Sequence, residues 1–177
     1  IRKTRYKAKK FIAYFQSFTN TYLDVNSLRK IYNEAVFAHS DIIGLAISTR
    51  PDCVDEEKIK LIAEYKKHLQ YVCIEYGCQT IHDKTLKLIN RCEDHADFVK
   101  AVKLTKKYNI EQVAHIILGL PGETRQDMID TAKEIAKLKI DGVKIHLLVV
   151  MKNTCLEKMY LDNKFTPLTF DKYIQLI

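Results

Sequence analysis

Short apolar runs alternate along the chain with stretches whose apolar residues recur at helical spacing, and this alternation predicts strands and helices in turn. Five runs have the near-continuous apolar character of buried parallel strands. They cover residues 10–15, 41–48, 71–75, 112–118 and 142–150. Strands separated by helices in this way are typical of repeated βαβ units in a parallel sheet.

The helices between the strands begin at capping residues. Asp24 and Thr124 each precede an amphipathic stretch, and such side chains accept hydrogen bonds from the free amides of a helix start. Asp55-Glu-Glu opens another helix with acidic residues in its first turn. The predicted helices cover residues 25–35, 55–65, 83–89, 96–108, 125–138 and 156–161, and a last helix starts at Thr169.

The predicted fold class is α/β, a partial TIM-type (β/α) barrel with parallel strands. Five strands are too few for the eight of a complete barrel, so we expect the first unit to be missing. We also expect residues 1–177 to be a single domain cut at both ends, because Ile1 is not a start residue and the last helical pattern stops at Ile177. Right-handed crossovers would bring all strand carboxyl ends to one edge, where such folds place their sites.

The composition favours a globular protein. The chain is 47% hydrophobic and 10% aromatic, and it has no apolar run near the roughly 20 residues that span a bilayer, so we expect no membrane association. The odd number of cysteines does not suggest a secreted disulfide framework, and we expect a cytoplasmic location.

The net charge of +7 and the pI near 9.1 favour a polyanionic partner such as RNA. Solvated lysine-rich helix faces explain the same excess equally well. Much of the charge lies in one basic N-terminal segment, made of Arg2, Lys3, Arg5, Lys7, Lys9 and Lys10.

Polar residues follow or interrupt every predicted strand. They are Gln16, Ser17 and Thr19 after the first, Ser48, Thr49, Arg50 and Asp52 after the second, Glu75 and Gln79 at the third, His115 in the fourth and His146 in the fifth. Each could simply satisfy a neighbour inside the barrel, but their common location favours a shared site. The Gly119-Leu-Pro-Gly122 turn suits either an anion at a helix start or a tight βα turn.

The five cysteines, Cys53, Cys73, Cys78, Cys92 and Cys155, favour core packing over a metal site. Structural zinc needs close ligand pairs, and Cys73-x4-Cys78 has no second pair after it. Free cysteine commonly packs as a small buried apolar residue.

Several motifs, in this order, resemble one known family. They are FIAYFQSFTNTY at 11–22, STRPDC at 48–53, QTIHD at 79–83, NR at 90–91, AHIILGLPGET at 114–124, KIHLL at 144–148 and LEKMY at 156–160. Together they resemble the radical S-adenosylmethionine (SAM) superfamily, in the branch of the oxygen-independent coproporphyrinogen oxidases and the Elongator catalytic subunit. Within that branch the chain looks like the YhcC/YtqA-like family from Lys10 onward.

The resemblance implies cofactor-binding positions near the first two strands. Gln16 and Ser17 stand where the family holds the SAM amino group with backbone atoms. Ser48 stands where relatives often carry a glutamate that contacts SAM, so this chain departs from the pattern there.

Further positions are implied on the later strands. Gln79 and Arg91 match polar SAM contacts, and His115 stands where some relatives have an aspartate near the ribose. His146 and Leu147 fall on the strand whose backbone usually meets the adenine.

The activity that the resemblance implies needs a [4Fe-4S] cluster held by a Cys-x3-Cys-x2-Cys loop. The cluster gives one electron to SAM, and the resulting 5′-deoxyadenosyl radical takes a hydrogen atom from the substrate. These 177 residues contain no such loop. We therefore expect no metal ligands in this chain, cluster cysteines upstream of Ile1, and no catalysis by the chain alone.

The implied full-length protein is an oxidoreductase or transferase. Its expected partners are SAM, an electron donor such as flavodoxin or ferredoxin, and a tRNA substrate, with a tetrapyrrole or other small molecule as the alternative substrate. Two other functions stay open. The chain could be a non-catalytic SAM- or RNA-binding scaffold, or an enzyme that uses His115 or His146 as an acid–base group without a radical.

Overall fold

The computed structural model describes residues 7–177, so Arg2, Lys3 and Arg5 of the basic N-terminal segment lie outside the described residues. Within this range five strands form one parallel sheet in sequential order. They are β1 (Phe11–Phe15), β2 (Ile42–Thr49), β3 (Tyr71–Gln79), β4 (Glu111–Leu118) and β5 (Gly142–Leu147). The predicted α/β partial barrel is confirmed.

Helices connect the strands and follow the last one. They are α1 (Val25–Val36), α2 (Glu56–Glu64), α3 (Asp83–Leu88), α4 (His95–Lys106), α5 (Arg125–Lys137), α6 (Cys155–Leu161) and α7 (Phe170–Ile174), with 3-10 turns at Pro51–Cys53 and Tyr65–Lys67. The predicted caps are present: Asp24 accepts from the amides of Asn26 and Ser27, and Thr124 forms a reciprocal capping box with Asp127. These caps satisfy amides that have no partner inside the helix.

The main core lies between the helices and one face of the sheet. Ile47, Ile74, Tyr76 and Ala114 point to this side and are almost completely buried, and Phe98 of α4 packs edge-on against the Tyr76 ring. Because side chains alternate between the faces of a strand, the residues between these point to the opposite, concave face.

The sheet curls strongly toward its concave face. Neighbouring strands lie about 4.8 Å apart, so the outer strands of a flat five-stranded sheet would be about 19 Å apart. In this protein Lys144 Nζ of β5 donates to the Tyr14 hydroxyl of β1 over 2.9 Å. The long lysine side chain covers part of the span, and the curvature of a half-barrel covers the rest.

Two strands differ in length from the prediction by more than one residue. The third continues to Gln79 because it remains paired with β4 beyond Glu75; Glu75 is therefore in the middle of β3. The fifth ends at Leu147 because its partner β4 ends at Leu118. There Gly119, at φ 85°, turns the chain away in the left-handed region that glycine tolerates.

Among the helices of residues 7–177, none combines the length and the apolar character that a membrane span requires.

Candidate functional site

A cavity of about 300 Å³ opens at the carboxyl edge of the sheet. It is lined by Gln16, Phe18, Thr19, Ser48, Thr49, Arg50, Glu75, Gly77, Gln79, Arg91 and His115. The lining comes from β2, β3 and β4, from the loops after β1 and β2, and from the loop after α3, because parallel strands direct their carboxyl ends to one edge. Its volume is at the lower end of the range for small-molecule pockets.

A bulge in β3 places Gln79 in the cavity wall. Gly77 pairs with His115, but Gln79 pairs with the very next residue, Ile116, so Cys78 is an extra residue in β3. Gln79 itself has a left-handed backbone at φ 63°. Such bulges commonly redirect side chains beside functional sites.

Gly77 leaves space that a side chain would fill. A methyl group at this position would lie 2.9 Å from Gln79 Nε2 and 3.3 Å from Arg91 Nη2. The absence of a side chain therefore lets two hydrogen-bond donors converge on one wall of the cavity.

Glu75 connects the strands of the concave face. Its Oε2 accepts hydrogen bonds from the Tyr14 hydroxyl at 2.7 Å, from Ser48 Oγ at 3.2 Å and from His115 Nε2 at 2.6 Å. Lys144 Nζ lies 3.8 Å from the same oxygen. One carboxylate oxygen thus contacts residues of the other four strands of the sheet.

The electrostatics fix the charge state of this network. Burial raises the pKa of Glu75, but hydrogen bonds from Tyr14 and His115 outweigh it and hold the pKa below its ordinary value. Burial lowers the pKa of His115, and the hydrogen bond with Glu75 offsets only part of this. At neutral pH Glu75 is an anion and His115 a neutral ring that donates its Nε2 proton to it.

A second group of charges surrounds Arg91. Arg91 Nη2 donates to the Gly77 carbonyl at 2.9 Å and to the Glu93 carboxylate. The Glu93 side chain is only 3% exposed and also faces Arg50 Nε at 3.6 Å. Arg91 Nε is fully buried and has no hydrogen-bond partner, and the Arg91 side chain as a whole contributes to the cavity lining.

Five of the eight residues predicted to bind the cofactor line this cavity: Gln16, Ser48, Gln79, Arg91 and His115. The other three do not. Ser17 lies in the loop after β1, and the centroid of the His146 ring lies 5.4 Å from that of His115. The partly exposed Leu147 side chain follows His146 in β5 and so points away from the concave face.

Sequence reasoning did not identify Tyr14, Lys144 and Glu93. Strand alternation could have found the first two, because Lys144 lies two residues before His146 and Tyr14 two residues before Gln16. Nothing in the sequence around Glu93 indicates that its carboxylate is buried between two arginines.

The Gly119–Gly122 turn is engaged within the protein. Gly119 N donates to Met128 Sδ, and Glu123 accepts a hydrogen bond of 2.6 Å from Thr80 Oγ1. Burial raises the pKa of Glu123. The structure therefore favours the tight βα turn over the anion site.

The cysteines lie apart from the cavity lining. Cys73 and Cys78 are buried, Cys53 is partly buried, and Cys92 and Cys155 are exposed. Burial raises the pKa of Cys73 to about 11 and that of Cys78 to about 12. Residues 7–177 contain no group of three or more His, Cys, Asp or Glu side chains placed to hold a metal ion.

Comparison with known families decides the classification. The profile described as "Radical SAM superfamily" matches residues 1–135, and that described as "Radical_SAM C-terminal domain" matches residues 140–177. The chain belongs to the radical SAM superfamily.

Relatives of known sequence support this membership. The chain is 42% identical to the uncharacterized protein MJ0486 of Methanocaldococcus jannaschii over 96% of its length, and 42% identical to YtqA of Bacillus subtilis over 98%. It spans about half of each relative, 52% and 53%. A more distant relative is the tRNA uridine(34) acetyltransferase of M. jannaschii, with 28% sequence identity. That match covers 88% of this chain and 28% of the relative.

Solved structures share the fold. Elp3 of Methanocaldococcus infernus, with residues 1–46 deleted, superposes with a TM-score of 0.82 and 22% sequence identity. The match covers 99% of this chain and 46% of the Elp3 chain. Coproporphyrinogen III oxidase (HemN) of Escherichia coli superposes with a TM-score of 0.64 and 15% sequence identity. The match covers 89% of this chain and 36% of the HemN chain. The predicted relationship to the Elongator and coproporphyrinogen oxidase branch is confirmed at the level of fold.

Proposed function

We propose that this chain is the SAM-binding barrel of a radical SAM enzyme. The observation that carries the proposal is the cavity at the carboxyl edge, where Ser48, Gln79, Arg91 and His115 converge from three strands and the loop after α3. Membership of the superfamily gives the proposal its chemical direction.

The residues of the cavity fit SAM. The guanidinium of Arg91 and the side-chain amide of Gln79 line the cavity and are donors for a carboxylate or for ribose hydroxyls. The Glu75 anion in the same lining complements the positive sulfonium and ammonium groups of SAM. Gly77 leaves room for the ligand beside both donors.

The residues of this chain do not fit a [4Fe-4S] cluster. A cluster is held by cysteine thiolates, and Cys73 and Cys78 are protonated at neutral pH because burial raises their pKa values. The chain has no Cys-x3-Cys-x2-Cys segment. We propose that cysteines outside these 177 residues supply the cluster, and that the chain alone binds SAM without cleaving it reductively.

The test is isothermal titration of the chain with SAM, together with two matched glycine variants. Gly77→Ala adds a methyl group against Gln79 and Arg91, whereas Gly142→Ala adds one against the Val113 side chain, away from the lining. We expect the wild-type chain to bind, Gly77→Ala to bind about 10- to 100-fold more weakly, and Gly142→Ala to bind as the wild type does.

Two outcomes contradict the proposal. A wild-type chain that gives no heat of binding with SAM lacks the site. Equal loss of affinity in both glycine variants, each with an unchanged circular dichroism spectrum, places the site elsewhere. The alternative of a non-catalytic scaffold gains support if a version of the protein as long as its relatives binds SAM but neither holds a cluster nor produces 5′-deoxyadenosine.

For the substrate we propose tRNA. The support is the net charge of +7 and the similarity to proteins named tRNA uridine(34) acetyltransferase. Fluorescence anisotropy with unmodified tRNA should give an affinity that falls steeply as salt rises, because phosphate contacts release counterions. No binding at low salt would favour a tetrapyrrole or another small substrate. A flavodoxin- or ferredoxin-type electron donor and a cytoplasmic location stay predictions.

A further inference from the structure

Phe18 is the most exposed large apolar residue at the cavity. Its side chain is 96% exposed, and it forms part of the cavity lining. Its backbone is left-handed at φ 66°, a conformation that bulky residues rarely adopt. The protein therefore holds an aromatic ring in water, on a strained backbone, beside its candidate site.

The loop that carries Phe18 is fixed without the help of its ring. Asn20 Nδ2 donates to the Ser48 carbonyl at 2.9 Å. Thr21 is fully buried, and its hydroxyl lies 2.6 Å from that of Thr49. These bonds tie the loop to the end of β2, so the exposed ring of Phe18 is not needed for folding. Backbone strain of this kind persists where the surroundings determine the conformation, often at ligand sites.

We propose that the Phe18 ring is a stacking platform for a nucleobase of a single-stranded nucleic acid substrate. This inference rests on the proposed function, because the base would stack within reach of the SAM cavity. A single aromatic face accepts any planar base. Tyr22, four residues further along the same loop and 76% exposed, offers a second ring.

The surroundings of Phe18 suit a nucleobase better than an apolar protein surface. Thr19, Ser48 and Arg50 line the same cavity, so the ring stands among groups that hydrogen-bond to polar edges. A nucleobase has an apolar face that can stack on the Phe18 ring and polar edges that can hydrogen-bond to the groups around it. The net charge of +7 favours the attached phosphates.

The experiment uses two labelled RNAs of about ten nucleotides, a length within the range that single-strand sites cover. One is oligouridine, and the other is an abasic strand with the same phosphates. Anisotropy titrations compare the wild-type chain with Phe18→Ala, Phe18→Tyr and Phe37→Ala. Phe37 is the matched control: it is also exposed, at 61%, but it follows α1 at the opposite edge of the sheet.

We expect the wild-type chain to bind oligouridine more tightly than the abasic strand. Phe18→Ala should lose about 5- to 100-fold in oligouridine affinity and bind the abasic strand as before. Phe18→Tyr, which keeps a ring, and Phe37→Ala should both retain wild-type affinity.

Equal binding of both strands by the wild-type chain would overturn the stacking role. So would a Phe18→Ala variant that loses SAM affinity but keeps its affinity for oligouridine, because the ring would then serve the adenine of SAM. The SAM titration of the wild-type chain separates these results from failure of the proposed function: a chain that binds SAM but shows no Phe18-dependent preference for bases refutes the stacking proposal alone.

Discussion

At the scale of single residues, Glu75 has the largest set of partners in the concave face. Tyr14, Ser48 and His115 donate to it, each from a different strand. Its anion is favoured because three donors point at one oxygen. Removing the carboxylate would leave several of them in a partly buried setting without an acceptor.

We expect Glu75→Gln to lower the free energy of unfolding by about 1–3 kcal/mol at pH 7, because the amide cannot accept all of these donors. The folded-state pKa of Glu75 lies below its ordinary value. Its contribution to stability is therefore complete above the unfolded pKa, about 4.5, and is lost as pH falls through the folded pKa. Urea unfolding from pH 7 downward should show that the difference in unfolding free energy between the wild type and Glu75→Gln becomes smaller below pH ~4.5.

The control for this prediction is Glu111→Gln, on an exposed residue at the start of β4. It should change stability by less than about 0.5 kcal/mol. A gap between wild type and Glu75→Gln that stays constant down to the lowest pH at which both proteins fold would show that the carboxylate charge is not responsible.

At the scale of elements, capping residues determine where helices begin, and pairing with the neighbouring strand determines where strands end. The predicted caps Asp24 and Thr124 accept hydrogen bonds from the first amides of their helices. Asp55, predicted within the first turn of α2, is in fact its cap and accepts from the Lys58 amide. The ends of β3 and β5 were predicted less well, because pairing with β4 extends one and stops the other.

The cap of α5 provides a direct test at this scale. Thr124→Ala removes the acceptor for the Asp127 amide and should cost about 1 kcal/mol of unfolding free energy. Thr124→Ser keeps the hydroxyl and should retain most of the stability. Thermal or urea unfolding of both variants measures the difference; equal loss in the two would mean that the methyl group, not the hydrogen bond, matters.

At the scale of the whole molecule, the curl of the sheet creates contacts that no local pattern contains. Tyr14 and Lys144 lie at the two edges of the sheet and meet over 2.9 Å. Strand twist and tilt give parallel sheets this curvature. We therefore expect the Tyr14–Lys144 hydrogen bond to result from the curvature of the sheet and not to cause it.

A double-mutant cycle of Tyr14→Phe and Lys144→Met tests that relation. Both side chains are partly exposed, so we expect a coupling energy below about 1 kcal/mol from urea unfolding of the four proteins. The double variant should keep its folded circular dichroism spectrum. A coupling of several kcal/mol, or an unfolded double variant, would instead make the bridge a determinant of the curvature.

The order of elements, the helix caps and most of the candidate site could be predicted from the sequence. Apolar periodicity depends on local spacing, and parallel crossovers bring strand ends together whatever the details. For this reason the sequence predicts that Gln16, Ser48, Gln79 and His115 reach one edge, and these residues line one cavity. Arg91, which only the family resemblance indicates, lines the same cavity. Their role in binding SAM stays a prediction.

The tertiary structure alone decided the rest. The burial of Glu93 depends on Arg50 and Arg91, which come from separate loops. The bulge at Cys78 depends on pairing with β4, and the contact of Tyr14 with Lys144 depends on the curl of the sheet. The sequence by itself determined the order of the strands and the location of Gln16, Ser48, Gln79 and His115 toward the carboxyl edge, because both follow from local periodicity. Strand pairing between distant parts of the chain decides which of these side chains touch, which are charged and which lack a hydrogen-bond partner. No local sequence pattern records that pairing.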